Sequence, residues 1–409
     1  MKGYVPRMAD ARIEFLAESP AALFVTGARA TGKTTTARQH AATVIRLDNP
    51  EEAAAVRADP DAALRGLEPP VLLDEWQFVP EVLGAVKRAV DTDRARGRFI
   101  LSGSVRSVRD PHLWPGTGRL LPVTMHPMTA REQLGNIGVE FLERLRTGTG
   151  IQLPADPPDL HGYVERALTG GFPEAVLEQE PARREAWLDG YLSHMLNRDP
   201  ATLGASPDSA RLARFFSAYA LNTAGLATDS TLNSAASVNH RTGAAYTQLL
   251  SDLGVIAELP PWHNNRLARL VKGRKRLVAD TGLWGAAVGV DAATVMSSGD
   301  LLGRLIESFA INQLRAETAL MSRGPQLCHL RVADGRHEVA LIADYGARGI
   351  VAVEVKAATA PSTADARHLI WLRDQLGSHF TAGAVLHIGR RKYRLSEQID
   401  AIPICALWT

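Results

Sequence analysis

Long apolar runs are missing from this chain of 409 residues, cysteine is nearly so, and neither sign of charge prevails. No apolar stretch approaches the ~18 residues that a membrane-crossing helix needs, so no membrane association is expected. Cys328 and Cys405 stand far apart and cannot build a disulfide framework or a zinc cluster, which leaves two buried thiols as the expectation. Lys and Arg number 46 against 44 Asp and Glu, a net charge of +2, so the chain as a whole exerts no electrostatic pull on nucleic acid and any basic surface must be local. Residues 1–14 mix charged and apolar positions without the hydrophobic segment of an export signal, and a cytoplasmic protein is expected. A hydrophobic content of 45% with 22% charged residues is that of a globular protein, and the length exceeds what one core organises, so two or three domains are expected.

Only seven lysines occur, and one of them, Lys33, lies in the most informative stretch of the chain. Gly27-Ala28-Arg29-Ala30-Thr31-Gly32-Lys33-Thr34 is a complete G-x-x-x-x-G-K-[ST] pattern, the Walker A loop, directly after the apolar run Ala21–Val25. Its glycines let successive N–H groups of residues 27–35 point inward at phosphate oxygens. Lys33 reaches the terminal phosphates, Thr34 offers a hydroxyl to Mg²⁺, and Thr35 continues into a helix. The competing reading is an ordinary glycine turn between strand and helix.

From residue 21 strand-like and helical segments alternate: Ala21–Val25, a helix from Lys33, Thr43–Leu47, a helix Pro50–Ala58, Val71–Asp74, a helix Pro80–Asp93 and Arg98–Leu101. Such alternation predicts a parallel sheet covered by helices. Val71-Leu72-Leu73 ends in Asp74-Glu75, as a buried strand does when its tip delivers carboxylates to a phosphate site. Asp74 then holds Mg²⁺ and Glu75 accepts a proton from the attacking water. Alternatively the pair only caps a strand. Arg98–Leu101 runs into Ser102-Gly103-Ser104, and Ser102 is the candidate to orient water or touch the γ-phosphate.

These segments, with Trp76-Gln77 after the Asp74-Glu75 strand, resemble a group of prokaryotic AAA-type ATPases that carry a C-terminal domain of unknown function. Gly170-Gly171-Phe172-Pro173-Glu174, Asn197-Arg198-Asp199, Asp280-Thr281-Gly282-Leu283 and Val353-Glu354-Val355-Lys356 look like that domain's landmarks. The resemblance implies an α/β P-loop NTPase sheet with the sensor strand between the phosphate-loop and Walker B strands, and ATP with Mg²⁺ as cofactors. It also makes Arg119, in Gly116-Thr117-Gly118-Arg119, a candidate to neutralise charge on the γ-phosphate; a structural arginine before the strand Leu120–Val123 is the other reading. No N-K-x-D motif for guanine occurs, which favours ATP.

Residues 1–135 are thus expected as the ATPase domain and 136–160, with Leu153-Pro154-Ala155-Asp156-Pro157-Pro158, as a linker. Residues 161–298 come next as a helical domain with a winged-helix-like part. Its two helices would span Ser230–Ala236 and Val238–Leu253, with a strand Val255–Leu259 after them. Asn239, His240, Arg241, Thr242 and Gln248 suit duplex DNA or any solvated face. Arg266, Arg269, Lys272, Arg274, Lys275 and Arg276 form a basic cluster that suits phosphate contact along a wing or plain solvation.

Residues 299–409 resemble an α/β restriction-endonuclease-like domain of the PD-(D/E)xK superfamily: a helix Leu301–Leu314 with Glu307, a strand His337–Ile342, and a strand Ile350–Lys356 with Glu354 and Lys356 on one face. Ala340 stands where the pattern has an aspartate. Glu338 and Asp344 are displaced along the strand by ~6.6 and ~13 Å and are expected to be too far to replace it without a register change. A degenerate nuclease site is expected, retained as a surface for a protein partner. The functional expectation is an ATP-hydrolysing enzyme whose nucleotide state reorients the other domains, against a DNA-binding switch with negligible turnover and an ATP-gated nuclease.

Overall fold

The computed structural model describes residues 3–93, 95–103, 118–138, 141–202, 205, 208–262, 273–332 and 336–409. Ser104, Gly116, Thr117, Arg266, Arg269 and Lys272 lie outside them. Thirteen strands occur among the described residues. Five of them, β1 (Ala22–Thr26), β2 (Thr43–Arg46), β3 (Val71–Asp74), β4 (Phe99–Ser102) and β5 (Leu120–Thr124), form a parallel sheet in the order β2-β3-β4-β1-β5. The sensor strand β4 therefore lies between β1 and β3, as the resemblance implied. Alternate residues serve opposite faces: Ala22, Phe24, Leu73 and Leu101 join one apolar cluster, while Leu23, Val25, Leu72 and Ile100 join another. Burial on both faces is why these strands read as unbroken apolar runs.

The middle region is helical and carries a two-stranded antiparallel sheet of β6 (Ile256–Leu259) and β7 (Lys275–Val278) after helices Asp229–Ala235 and His240–Asp252. Residues 136–160, expected as a linker, contain helix Phe141–Thr147, whose Phe141 and Leu142 are buried. The proline signal at 154–158 drew attention away from the apolar spacing of Phe141, Leu142 and Leu145. One apolar cluster runs from Ala130 through Tyr163, Phe215, Trp284 and Phe309 to Trp408, so the middle region and the tail share a core.

The tail is a mixed sheet of β8 (Gln326–Arg331), β9 (Glu338–Asp344), β10 (Ile350–Lys356), β11 (Phe380–His387), β12 (Tyr393–Ser396) and β13 (Ile399–Pro403), ordered β12-β13-β11-β10-β9-β8. Helix Gly299–Leu320 is longer than the expected 301–314 because Ala316 and Leu320 extend its apolar stripe onto Met8, Ile13 and Leu16 of the first helix, Met8–Ala17. Among the described residues no helix is long and apolar enough to cross a membrane.

Two of the landmark motifs meet behind the phosphate loop. Asp280 caps helix Thr281–Val288 by accepting from Leu283 N–H at 2.9 Å, and its second oxygen accepts from Gly171 N–H at 2.7 Å. Burial pushes the Asp280 carboxyl up to about 6, with those backbone N–H groups opposing. Gly171 lies so close to residue 128 that a Cβ would stand 2.2 Å from the Met128 carbonyl oxygen. Gly171→Ala should therefore force the backbone apart and destabilise the chain by about 1–3 kcal/mol, read as a lower urea midpoint with an unchanged slope; an unchanged midpoint would show that the contact is not tight.

Candidate functional site

The loop between β1 and helix Lys33–Gln39 curls over its own backbone. Gly32 takes a left-handed conformation (φ 88°) that a side chain would strain, and the Ala28 carbonyl accepts both the Thr31 hydroxyl at 2.9 Å and the Lys33 ammonium at 2.8 Å. Burial lowers the pKa of Lys33; Arg29 adds to that while Glu75 and Asp74 oppose it. Because β3 and β4 run in register, Asp74 stands opposite Ser102 at their tips. Both the Ser102 hydroxyl and the Thr34 hydroxyl, the latter at 2.9 Å, donate to the same Asp74 oxygen, Oδ1. Two hydroxyls and a carboxylate gathered in one place are hard oxygen donors, the chemistry that Mg²⁺ takes. Glu75, one residue past the strand, sits at φ 54°, a strained position for a residue with a side chain, and its carboxylate accepts from Gln77 Nε2. Thr35 is exposed on the first turn of the helix.

Residues that sequence reasoning passed over hold this loop. Arg7 is buried and donates to Thr31 O at 2.7 Å, His126 O at 2.8 Å and Glu132 Oε1 at 2.9 Å. Glu132 also accepts from Met8 N–H and Thr129 N–H. Arg29 pairs with Asp199 of the helical region, and the Tyr191 hydroxyl donates to Arg29 O at 3.3 Å. No local pattern connects Arg7 with Glu132. Asp199 could have been noticed, since it belongs to the landmark Asn197-Arg198-Asp199.

Residues 19–134 match the family model described as an AAA domain. That segment has the strand order of a P-loop NTPase and is similar to AAA domains. Residues 160–294 match a domain of unknown function (DUF8612), and 302–407 match another (DUF4143). Uncharacterized proteins of Mycobacterium tuberculosis (strain ATCC 25618 / H37Rv) and Mycobacterium bovis (strain ATCC BAA-935 / AF2122/97) are each 26% identical over 405 residues, covering 97% of this chain and 83% of theirs. A solved Walker-type ATPase of Pyrococcus abyssi is similar at 16% identity with a TM-score of 0.44, over 68% of this chain and 94% of that one.

Arg119 is not brought to the AAA domain's phosphate loop. It precedes β5, its carbonyl accepts from Ala22 N–H at the start of β1, and its guanidinium pairs with Asp91. The loop leaves the other end of β1, five residues or ~17 Å away. The Gly-Arg spacing alone carried no information about which end of the strand it marks.

The expected DNA-contacting residues are also differently engaged. Asn239 caps helix His240–Asp252 by accepting from Thr242 N–H. His240 and Gln248 line a cavity of about 1050 Å³ that Gly27, Ala28 and His126 of the AAA domain close on the other side. Arg241 is exposed. Of the basic cluster, Lys275 and Arg276 are 1% and 5% exposed, and Arg276 pairs with Asp229. Only Arg274, paired with Glu258, is at the surface among the described members.

In the tail, Glu354 and Lys356 lie on one face of β10 and form an ion pair at 3.7 Å. Lys275 of β7 approaches Glu307 at 2.6 Å and Glu338 at 3.7 Å. Glu338, expected to be out of reach, thus joins the cluster through a lysine that spacing had assigned to a solvated wing. Burial pushes the Glu354 carboxyl up to about 7; Lys356 and Lys275 oppose, while Glu307 and Glu338 reinforce.

Arg7→Ala should strand the buried Glu132 carboxylate and the Thr31 and His126 carbonyls, costing about 3–5 kcal/mol of stability. Urea denaturation checks the loss, and calorimetry with ATP should show weaker binding in the folded fraction; wild-type stability and affinity would exclude Arg7 as the loop's anchor.

Proposed function

We propose that this chain is a cytoplasmic Mg²⁺-dependent ATPase that converts its nucleotide state into a rearrangement of the helical region and tail. The observation that carries the reading is the meeting of Thr34, Asp74 and Ser102 at one carboxylate oxygen beside the Lys33 loop. Backbone N–H groups of residues 27–35 cradle the phosphates, and Lys33 exchanges the Ala28 carbonyl for the terminal phosphate oxygens. Thr34 and Asp74 would hold Mg²⁺, which when bound neutralises charge on those oxygens. Glu75 accepts the proton of the attacking water, and Ser102 orients that water or the γ-phosphate.

Coupling starts at Arg29. Its guanidinium is engaged by Asp199, a residue that is 8% exposed and whose pKa burial pushes up against Arg29. A triphosphate in the loop competes for Arg29, and an Asp199 left without that cation is unfavourable where it stands. The helical region is then free to shift, and the cavity between helix His240–Asp252 and the loop opens. Duplex DNA belongs to this reading as a partner of the opened arrangement, because His240 and Gln248 of the face it would use line that cavity.

Steady-state phosphate release from ATP and GTP, with and without duplex DNA, tests the proposal. Lys33→Ala should abolish nucleotide uptake, and Glu75→Gln should keep uptake while slowing release ~10²–10⁴-fold. If both variants hydrolyse ATP like wild type, the assignment of the site is wrong. If wild type binds ATP without turnover, a nucleotide-controlled switch replaces the enzyme. Arg29→Ala should make the helical region as open to a protease without ATP as the wild type is with it, and cleavage should no longer depend on ATP; continued nucleotide dependence would remove Arg29 from the coupling route.

A further inference from the structure

We propose that the acidic site of the tail is filled by a cation belonging to the chain itself: the ammonium of Lys275, delivered from β7 of the helical region, occupies the position a divalent metal would take and clasps the two regions together. Three glutamates from three elements surround it: Glu307 of helix Gly299–Leu320 and Glu338 of β9 lie within ion-pair reach of Lys275, and Glu354 of β10 is near enough to act on it through its charge. Lys275 Nζ is 2.6 Å from Glu307 Oε1 and 3.7 Å from Glu338 Oε1, and the side chain is 1% exposed. A lysine alone at such burial would give up its proton, yet Glu307, Glu338 and Glu354 outweigh desolvation and raise its pKa, so the ammonium persists.

Charge counting supports the same conclusion. Lys275, Lys356 at 3.7 Å from Glu354, and Arg331 at 3.8 Å from Glu338 already oppose the three carboxylates. A dication entering beside them would leave about two positive charges uncompensated around the buried Lys275 and Glu354, and a metal could enter only by expelling Lys275. The register of β9 with β10 pairs Leu341 with Val353, so the next step sets Ala340, a methyl group, against Glu354. With Lys275 in place the nuclease-type metal therefore does not fit. The cluster instead joins β7 to the tail, alongside Asn312 Nδ2, which donates to Val278 O at 2.9 Å.

The proposal is independent of ATP hydrolysis and is tested without nucleotide. Free Mn²⁺ is followed by electron paramagnetic resonance in titrations of the full chain as wild type, Glu354→Gln, Lys275→Met and the double variant. Any Mn²⁺ held near Asp74 is common to all four and cancels. Wild type and Glu354→Gln should bind alike, whereas Lys275→Met should gain one site that the double variant lacks, and Mn²⁺ should raise its melting temperature. A wild-type site that vanishes in Glu354→Gln overturns the proposal, as does a folded Lys275→Met that gains nothing. Should Lys275→Met fail to fold, the wild-type and Glu354→Gln pair decides alone, because equal binding supports a filled site and unequal binding refutes it.

Discussion

A guanidinium removed from water must find acceptors for its fixed fork of donors, and Arg7 finds them in the phosphate loop, the segment after β5 and the Glu132 carboxylate. The loop carries little of its own to hold it, since its curl rests on two side-chain bonds to the Ala28 carbonyl. Arg7 ties that curl to helix Ala130–Gln133, whose capping box uses the same Glu132. The geometry around Lys33 thus rests on a charge pair set before the sheet begins and after it ends. Breaking such a pair costs more than forming it yields, which makes it a device for fixing position.

How much was legible in the chain depends on distance along it. The phosphate loop, the strand ending at Asp74 and the strand ending at Ser102 are each local, and burial on both faces of the sheet wrote them as compact apolar runs. The bond between Ser102 and Asp74 required only the order of strands, which the resemblance supplied. Arg7 with Glu132 and Arg29 with Asp199 are pairings across 125 and 170 positions, and no periodicity records them. Arg119 stands away from the loop of its own chain for another reason. A motif names neighbours in the chain, whereas the two ends of one strand are far apart in space. Lys275 and Arg276 failed because charge was read as exposure; both are buried and paired with carboxylates that lie elsewhere in the sequence.

The landmarks that follow the AAA domain share a logic that their spacing concealed. Gly171 lets the backbone touch Met128, Asp280 bridges from its own helix cap to Gly171, and Asp199 reaches Arg29. Gly171 and Asp199 sit at junctions between the AAA domain and the helical region, and Asp280 braces the first of them from within the helical region. The fourth, Glu354 with Lys356, sits where the helical region meets the tail. Small residues and buried acids recur at these places because close approach and fixed charge define a joint more sharply than apolar contact does.

Helix Gly299–Leu320 links two cores, with Phe309 and Leu314 in the shared core and Ala316 and Leu320 against the first helix and the AAA sheet. At 22 residues it is a rod of ~33 Å whose far end belongs to a different hydrophobic cluster from its middle. Cutting the chain ahead of it would therefore uncover oily surface on the nucleotide-binding half as well as removing the tail. Any segment put in place of either end would have to refit this one rod to two oily clusters at once.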